Sequence, residues 1–332
     1  MLKVVKQHGF TIVELLIVIV VIAILAAITI VAYNGIQQSA TRSALQTEVS
    51  QAVRKAEVFK TTQGSGVSYP TTSTDAGISS SANELSYIQG TDGTSFCVQV
   101  TKANVTYYAT NTNTAPTAGN CLSFGLLGQW KLNGDAQDSS TNGFNGTTLA
   151  AFTPSTSQNG TPGGAMAFSG SNYITVPNDN RINADAQSFS FWVRPTSWAT
   201  NAASAFITKR ASGSASGFFI AYLNSASSLI LDCGGTGQRW TTGYAPPLNT
   251  WTHIVLTCNL SGTTALFVNG DKQPGSATVN RAGMANGGTV LRLGQDSNGT
   301  SLQMNGDLDD VRIYNRTLGD AEVTKLFTSN AQ

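Results

Sequence analysis

An almost unbroken apolar run from residue 10 to residue 33, "FTIVELLIVIVVIAILAAITIVAY", constrains this chain more than any other feature of its sequence. The run contains one charged residue, Glu14, and neither proline nor glycine. At ~1.5 Å rise per residue, a helix of that length crosses a hydrocarbon core of ~30 Å. Because Lys3 and Lys6 precede it, the positive-inside tendency places the N-terminus in the cytoplasm. We expect a transmembrane helix at 10–33 and the rest of the chain outside the cytoplasm.

Glu14 discriminates among the kinds of N-terminal segment that contain such a run. A secretory signal peptide has a shorter apolar core that ends at a small-x-small cleavage site, and residues 20–32 contain no A-x-A. A plain membrane anchor explains the length of the run but not its carboxylate, because a charge within the bilayer costs on the order of a few kcal/mol and normally has a partner. The segment must therefore belong to a class that explains both the length and the carboxylate.

The residues around the start of the run point to such a class. "G-F-T-I-V-E", after a basic leader and before a long apolar helix, resembles the type IV prepilin signature, which is also found in the pseudopilins of type II secretion and competence systems. The resemblance implies a leader peptide at 1–9, cleavage after Gly9 by a prepilin peptidase, and methylation of Phe10 as the new N-terminus. It also implies that Glu14 pairs with the terminal amine of a neighbouring pilin subunit. The chain is then expected first in the cytoplasmic (inner) membrane and afterwards in an extracellular surface filament.

The helical pattern continues beyond the apolar run to residue 62, which predicts one pilin-like helix over 10–62. In the second half, apolar residues at three- and four-residue spacing form a stripe on a polar helix. The stripe consists of Ile36, Ala40, Ala44, Leu45, Val49, Ala52, Val53, Ala56 and Phe59. It needs a partner, which in pilins is a small β-rich head, and we expect residues 63–124 to supply it. There "SFCVQVT" and "VTYYAT" predict a hairpin whose Val98, Val100 and Val105 pack on the helix.

The four cysteines fall into two pairs, Cys97 with Cys121 and Cys233 with Cys258. None forms a C-x-x-C, so we expect two disulfides outside the cytoplasm and not a metal-thiolate site. Cys97 and Cys121 bracket a short segment that lacks the length for a large core, which favours a bond between them. Cys233 and Cys258 are equally consistent with two buried thiols in neighbouring strands.

Residues 125–332 have a different character, with strand-like segments punctuated by turns and almost no helix before "GDAEVTKLFTS". This pattern predicts a β-sandwich. Five pieces in order resemble the laminin-G-like, concanavalin A-type jelly-roll domain: "LLGQWKLNGDAQDSSTNGFNGT", "AMAFSGSNYITVPN", "SFSFWVRPTSW", "LNTWTHIVLTCNLSGTTALFVNGDKQ" and "NGDLDDVRIYNRTLGDAEVTKLF". We expect a multidomain chain in which a long N-terminal α-helix with a small α+β pilin head precedes an all-β jelly-roll sandwich.

The charges of the chain limit its chemistry. A net charge of +1, with 11% charged residues, offers no basic surface for nucleic acid. A glycosidase needs two suitably placed carboxylates, and the jelly roll has one glutamate, Glu322, in its terminal helical segment. His253 lies in a strand-like run with no nucleophile–base arrangement nearby. We therefore expect no enzymatic activity.

The aspartates of the jelly roll raise the alternative of a structural calcium ion. Eleven of the thirteen aspartates follow Gly125, most of them near Asn or Gly turns, and Ca²⁺ takes carboxylate, amide and carbonyl oxygens. Related domains hold Ca²⁺ near their terminal strands, and the resemblance offers Asp138, Asn142 and Asp309 as ligands, with Asp310 in reserve. An equal alternative is that these residues simply form turns.

A glycan-binding surface would use an exposed aromatic side chain as a stacking platform. Three tryptophans lie in strand contexts that predict core positions: Trp130, Trp192 and Trp251. Trp198 and Trp240, with Tyr244 nearby, are the candidates for a platform. The ligand is then expected to be a glycan, or a protein on a host or neighbouring cell.

Three functions from different classes follow from these features. The first is a pilin-like filament subunit whose lectin-like jelly roll serves adhesion. The second is a pseudopilin or minor tip subunit of a type II secretion or DNA-uptake system. The third, a membrane-anchored glycosidase, has the least support because of the missing carboxylate pair.

Overall fold

The structure, a computed structural model, describes most of the chain. The described residues are 12–80, 83–90, 93–184, 188–198, 203–210, 217–233, 239–258, 264–276, 288–297, 299 and 302–330. The chain forms two compact units, Met1–Cys121 and Leu122–Gln332. This division lies three residues before the boundary expected between 124 and 125, because Leu122 already packs in a cluster of the second unit.

One continuous helix, α1 (Ile12–Thr62), dominates the first unit. It is long and apolar enough to cross a membrane by length and composition. Gly35, which interrupts the apolar pattern, lies within the helix and does not end it. The helix ends where the amides of Gln63 and Gly64 both donate to the carbonyl of Phe59.

The head of the first unit is a four-stranded antiparallel sheet in the order β1-β2-β3-β4. Its strands are β1 (Glu84–Gln89), β2 (Phe96–Lys102), β3 (Val105–Thr110) and β4 (Thr117–Ala118). The central hairpin is the one expected from sequence, and its Val98 and Val100 are buried against Leu45 and Val49 of the helix, with Val105 packed beside them. The helix is therefore part of the head's core, as two strands alone could not be stable.

The second unit is a β-sandwich with two short helices, α2 (Asn180–Ala184) and α3 (Asp320–Asn330). Its strands are β5 (Leu126–Trp130), β6 (Thr147–Leu149), β7 (Thr153–Ser155), β8 (Ala165–Ser169), β9 (Tyr173–Val176), β10 (Ser188–Ser197), β11 (Ala203–Arg210), β12 (Gly217–Leu223), β13 (Ser228–Cys233), β14 (Arg239–Thr241), β15 (Thr252–Cys258), β16 (Thr264–Val268), β17 (Asp271–Lys272), β18 (Leu291–Leu293) and β19 (Asn305–Tyr314). This is the all-β sandwich that the sequence predicted.

The two sheets are antiparallel and enclose a single large apolar core. One sheet has the order β17-β16-β15-β10-β19-β8-β7, with β5 also paired to β19, and the other has the order β14-β13-β12-β11-β18-β9-β6. Aromatic side chains from both sheets meet in the core, such as Phe189 with Phe218 and Phe191 with Phe206. On the outer face of the first sheet, α3 covers Val255, Phe267 and Tyr314 with Val323 and Leu326.

Strand β19 changes its partner along its length. Residues 305–308 pair with β8, and residues 311–314 pair with β5 on the same side. Asp309 still pairs with Trp192 of β10, and the next two residues, Asp310 and Val311, stand opposite the single residue Phe191, so that a β-bulge with one extra residue on β19 follows directly after Asp309. Asp310 has φ +44°, a left-handed conformation that aspartate tolerates better than most residues. The bulge leaves a gap between β8 and β5.

Candidate functional site

The processing and assembly residues lie at the start of α1. Gly9 and Phe10 are outside the described residues, and cleavage and methylation there stay predictions. Glu14 lies in the first turn of α1 with its side chain exposed.

The apolar surface of α1 is exposed over its first half. The large apolar side chains from Ile12 to Ile30 that the structure describes are 46–85% exposed. The predicted stripe packs on the head only from Leu45 onwards, and its earlier members Ile36, Ala40 and Ala44 are exposed. The expectation that the head covers the whole stripe was wrong for these three, because the sheet's contacts with α1 begin at Leu45.

Both cysteine pairs form disulfides. Cys97 of β2 is bonded to Cys121, and Cys233 of β13 is bonded to Cys258 of β15. The second bond connects strands of opposite sheets across the sandwich, so the alternative of two buried thiols is wrong.

A polar cleft of about 200 Å³ lies at the bulge of β19. Its walls come from β5 and the segment after it, from the loop between β7 and β8, and from the end of α3. The lining residues are Gln129, Lys131, Asn133, Ser157, Gln158, Asn159, Thr161, Gly164, Asp309, Asp310, Arg312 and Ser329. None of these twelve carries an apolar or aromatic side chain, so a ligand here would be held by hydrogen bonds and charge.

The loop 157–164 forms one wall of the cleft and is held by its own hydrogen bonds. Ser157 accepts one from the amide of Gly160 and donates one to the carbonyl of Thr161, both at 3.0 Å. The Ser157 hydroxyl also donates to Asn159 Oδ1 and accepts from the Thr161 amide at 3.1 Å. At Gly164 a Cβ would come within 2.8 Å of Ser157 Oγ. The wall is therefore a tight turn that is formed without a ligand.

The two neighbouring aspartates of β19, Asp309 and Asp310, have different environments. Asp310 is held by Arg312, at 2.8 and 3.0 Å, and by the Gln129 side-chain amide at 2.8 Å. Asp309 is 5% exposed and accepts a 3.4 Å hydrogen bond from the Gln158 amide. Burial, together with the neighbouring Asp310 charge, raises the pKa of Asp309 to about 7. The Asp309 carboxyl group therefore gains or loses its proton near neutral pH.

Asp138 and Asn142, two of the predicted calcium ligands, are not among the residues that line this cleft. Asp138 accepts four hydrogen bonds, from the amides of Gln129, Ser140 and Phe144 and from the Ser140 hydroxyl, at 2.7–2.9 Å. Asn142 donates to the carbonyls of residues 126 and 127. Asp138 thus stabilises the turns that follow β5, and Asn142 connects the same loop to β5.

Calcium itself stays a prediction. Across the described ranges, no group of three or more His, Cys, Asp or Glu side chains is placed to hold a metal ion. Of the predicted set, only Asp309 and the reserve residue Asp310 come together.

The predicted aromatic platform is not assembled as expected. Trp240 is 7% exposed and belongs to the core, because β14 turns it inward between exposed Arg239 and Thr241. Trp198 and Tyr244 are half-buried and pack against the same core. Trp198 stacks on Tyr222 with ring centroids 3.8 Å apart, so one of its faces is already covered. The prediction of Trp240 as a surface aromatic was wrong.

The burial predicted from strand context for the other three tryptophans is observed for two of them. Trp130 and Trp192 are buried as expected. Trp251 is only half-buried, and the Arg194 guanidinium lies over its ring at 5.2 Å. Sequence reasoning missed Gln129, Lys131 and Gln158, whose grouping depends on which strands meet at the bulge.

A second cavity of about 500 Å³ lies on the outer face of the first sheet near the start of α3. Lys272 and Asp320 form an exposed ion pair in its lining, at 3.3 Å. Phe267, also in the lining, is 2% exposed and offers no ring face for stacking.

Comparison with known protein families identifies both parts of the chain. A family model described as the prokaryotic N-terminal methylation motif matches residues 5–30, which include the predicted cleavage and methylation positions. A family model described as the concanavalin A-like lectin/glucanases superfamily matches residues 168–324. None of the curated proteins compared with the chain matches it.

Solved structures resemble the sandwich. The binding domain of Paraclostridial Mosquitocidal Protein 1 has 20% identity and a TM-score of 0.50 over 63% of this chain and 53% of its own. The binding domain of botulinum neurotoxin DC in complex with SialylT has 16% identity and a TM-score of 0.47, over 63% and 52%. Domain 4 of AbnA, a GH43 extracellular arabinanase from Geobacillus stearothermophilus, in complex with arabinotriose, has 21% identity and a TM-score of 0.46, over 60% and 97%.

This chain spans about half the length of the two toxin structures. At 20% identity and a TM-score of 0.50, the likeness to the Paraclostridial Mosquitocidal Protein 1 binding domain shows the fold alone, and that fold agrees with the family match. The chain therefore joins a prokaryotic N-terminal methylation motif of the prepilin type to a concanavalin A-like, laminin-G-like sandwich domain.

Proposed function

We propose that this chain is a subunit of a type IV pilin-like surface filament and that its sandwich is displayed for adhesion to a glycan or a protein. The observation that carries the proposal is the division of α1. Its described large apolar side chains from Ile12 to Ile36 are exposed, whereas five apolar residues further along are buried in the head: Leu45, Val49, Ala52, Val53 and Ala56. Together with the methylation motif, this division describes a helix with one half inside its own head and the other half left for a different environment.

The exposed half of α1 needs one apolar environment before assembly and another after it. Burying one Leu, Ile or Val side chain stabilises by about 1.5–3 kcal/mol, so this many exposed apolar residues need either lipid or other helices around them. Lipid suits the newly made chain, but it is unfavourable for the Glu14 carboxylate. A bundle of identical helices covers the same apolar surface and offers Glu14 the terminal amine of a neighbouring Phe10.

We propose binding, and not catalysis, for the sandwich. Its one glutamate, Glu322, is held by Arg316 in an ion pair with distances of 2.6 and 2.7 Å. In the polar cleft the Asp310 carboxylate is neutralised by Arg312. A glycosidase needs one carboxyl group as an acid and a second as a base or nucleophile. These assignments support a site that recognises a ligand without cleaving it.

Mass spectrometry of surface filaments sheared from the cells tests the proposal. We expect the mature protein to begin at a methylated Phe10 and to lack residues 1–9. An unprocessed N-terminus at Met1, or absence of the protein from filaments, would overturn it. The amount recovered separates two roles, because a major pilin dominates the preparation, whereas a tip subunit or a pseudopilin occurs there in traces.

A further inference from the structure

The sandwich buries four aspartates among its described residues, and they differ in how their charge is balanced. Asp296 pairs with Arg210 at 2.6 Å, Asp307 with Arg194 at 2.8 Å, and Asp310 with Arg312 at 2.8 Å. The fourth, Asp309, has no lysine or arginine nitrogen within 4 Å in the part of the chain that the structure describes. Its hydrogen bonds come from the backbone amides of residues 158 and 310.

A buried carboxylate without a counter-charge is costly, because buried charges are normally paired or bound to a metal ion. Asp309 also borders the polar cleft, with 5% of its surface exposed. The positive charge nearest to it along β19 belongs to Arg312, which Asp310 already engages through both of its oxygens. Asp309 can therefore be neutralised either by a proton or by a cationic group that enters the cleft.

We propose that the cleft binds the protonated amine of an amino sugar, with the ammonium group against Asp309 and the ring hydroxyls against the amide and hydroxyl side chains of the lining. The inference rests on the proposed function in one respect, that the sandwich is the ligand-binding part of the chain. The inference assigns to the sandwich a chemical class of ligand, the amino sugars, and names Asp309 as the residue that selects this class.

The lining favours a polyhydroxylated ring over other carriers of positive charge. A lysine side chain would place its four methylenes against a surface without any apolar side chain. A bare cation would occupy little of a space of about 200 Å³, which is the volume of roughly seven water molecules. A sugar ring fills more of that space and presents donors and acceptors all round. Gln129, Gln158 and Asn159 offer matching groups at the walls.

Two cationic side chains line the cleft, Lys131 and Arg312, and since Arg312 is paired with Asp310, the repulsion of a cationic ligand comes mainly from Lys131. Its side chain is exposed at the cleft, where water and salt weaken its repulsion. Asp309 is buried, so its attraction for an ammonium group is screened less. Lys131 thus tunes the affinity without reversing the preference, and its removal gives a second, independent test.

The experiment is a calorimetric titration of the full-length protein in a sugar-free detergent at neutral pH. The matched probes are glucosamine, glucose and N-acetylglucosamine, which differ in carrying an ammonium, a hydroxyl or an acetamide group at one ring position. A charge-assisted hydrogen bond contributes about 1.5–3 kcal/mol, so glucosamine should bind about 10-fold or more tightly than either neutral sugar. Equal binding of glucose and glucosamine, or no binding of glucosamine, would overturn the proposal.

Two variants and a control assign the preference to residues. Asp309→Asn keeps the shape and should abolish the preference for glucosamine. Lys131→Gln should strengthen glucosamine binding about 2-fold or more, since it removes a repulsion of a few tenths of a kcal/mol. The control, Asp271→Asn, removes an exposed aspartate outside the cleft and should change nothing. Unchanged glucosamine preference in Asp309→Asn, or weaker binding in Lys131→Gln, counts against the proposal.

A parallel titration with calcium chloride addresses the competing occupant. Calcium binding that Asp309→Asn abolishes, without any glucosamine binding by the wild type, would show that the counter-charge is a metal ion and would overturn the inference. The filament proposal is tested by a separate measurement, mass spectrometry of the processed N-terminus. Failure of amine recognition with normal processing and incorporation removes only the inference made here.

Discussion

Arg316 and Glu322 form a bidentate ion pair in which two guanidinium nitrogens lie 2.6 and 2.7 Å from the two carboxylate oxygens. Arg316 is 2% exposed, and its Nε also donates to the carbonyl of Phe124 at 2.7 Å. Glu322 in addition accepts a hydrogen bond from the amide of Gly319 just before α3. The pair therefore connects the first residues of the sandwich with its last helix.

Glu322→Gln should destabilise the sandwich by about 3 kcal/mol, because it leaves the buried Arg316 without a counter-charge. Denaturant unfolding of the full chain in detergent measures the loss. The control is Asp320→Asn, which removes an ion pair with Lys272 whose partners are 53% and 66% exposed and which should barely matter. Equal losses in the two variants would contradict a structural role for the buried pair.

Glu14→Ala should leave leader cleavage largely intact and lower incorporation into filaments by about 10-fold or more, because the terminal amine of the neighbour would lose its counter-charge in an apolar bundle. Immunoblots of whole cells and of sheared filaments give the two quantities. Glu84→Ala, which removes an exposed glutamate of the head, is the matched control. Gly9→Ala should instead block or slow cleavage, and normal filaments from either Gly9→Ala or Glu14→Ala would contradict the pilin assignment.

The stability of the sandwich should rise with pH above about pH 8 through Lys209. Its Nζ donates to Asn178 Oδ1 and to the carbonyl of Thr289, and burial, partly offset by Asp179, lowers its pKa to about 8. The unfolded chain keeps this proton up to its ordinary pKa of about 10.4, so between these values it binds more protons than the folded chain, and stability increases with pH.

The comparison of wild type with Lys209→Met isolates this effect. Chemical denaturation at pH values from about 7 to about 9.5 should show the wild type gaining on the order of 2 kcal/mol relative to the variant. Below about pH 8 both states of the wild type are protonated and the difference should be flat. Parallel curves over the whole range would refute a depressed pKa at Lys209.

Removing either disulfide should destabilise the unit that contains it by about 3 kcal/mol, since each closes a loop of 24 or 25 positions. Hydrogen exchange separates the two units. Cys97→Ser with Cys121→Ser should accelerate exchange in the head alone, and Cys233→Ser with Cys258→Ser in the sandwich alone. Exchange that rises in both units for one variant would argue against independent cores.

Asp138→Ala should cost about 2 kcal/mol whether calcium or a chelator is present, because its carboxylate accepts four protein hydrogen bonds. Thermal unfolding in both conditions provides the measurement. A calcium-dependent stabilisation of the wild type that this variant loses would instead favour the predicted ion.

Patterns of local sequence predicted most of the fold. The apolar run and the stripe predicted α1 over all of its described residues, Ile12–Thr62, and alternating apolar residues predicted the central hairpin of the head. Strand β1, "ELSYIQ", was missed because it is an edge strand with few fully buried residues, so its alternation is weak. The extent of the helix–head contact was also missed, because it depends on where the sheet lies along α1.

The candidate site was less accessible to sequence reasoning for a similar reason. The sequence predicted Asp309 and Asp310 as candidate ligands because they are carboxylates in the segment near the end of the chain. Their neighbours Gln129 and Gln158 come from strand and loop segments that are distant in sequence and meet only because β19 exchanges β8 for β5 at the bulge. Trp240 misled for the opposite reason, because one residue of register decides whether a side chain of a short strand faces solvent or core.

The bond between Cys97 and Cys121 has a mechanical consequence. Cys121 is the last residue of the first unit, and Cys97 lies in β2, an interior strand of the head sheet. Tension applied to the sandwich enters the head at Cys121 and passes through the sulfur bridge directly to β2. The 23 intervening residues, which include the part of β2 after Cys97 together with β3 and β4, lie in a covalent loop that the bridge bypasses. An adhesive domain pulled from outside would therefore strain the centre of the head and its contact with α1, and could not peel the sheet from its edge at β4.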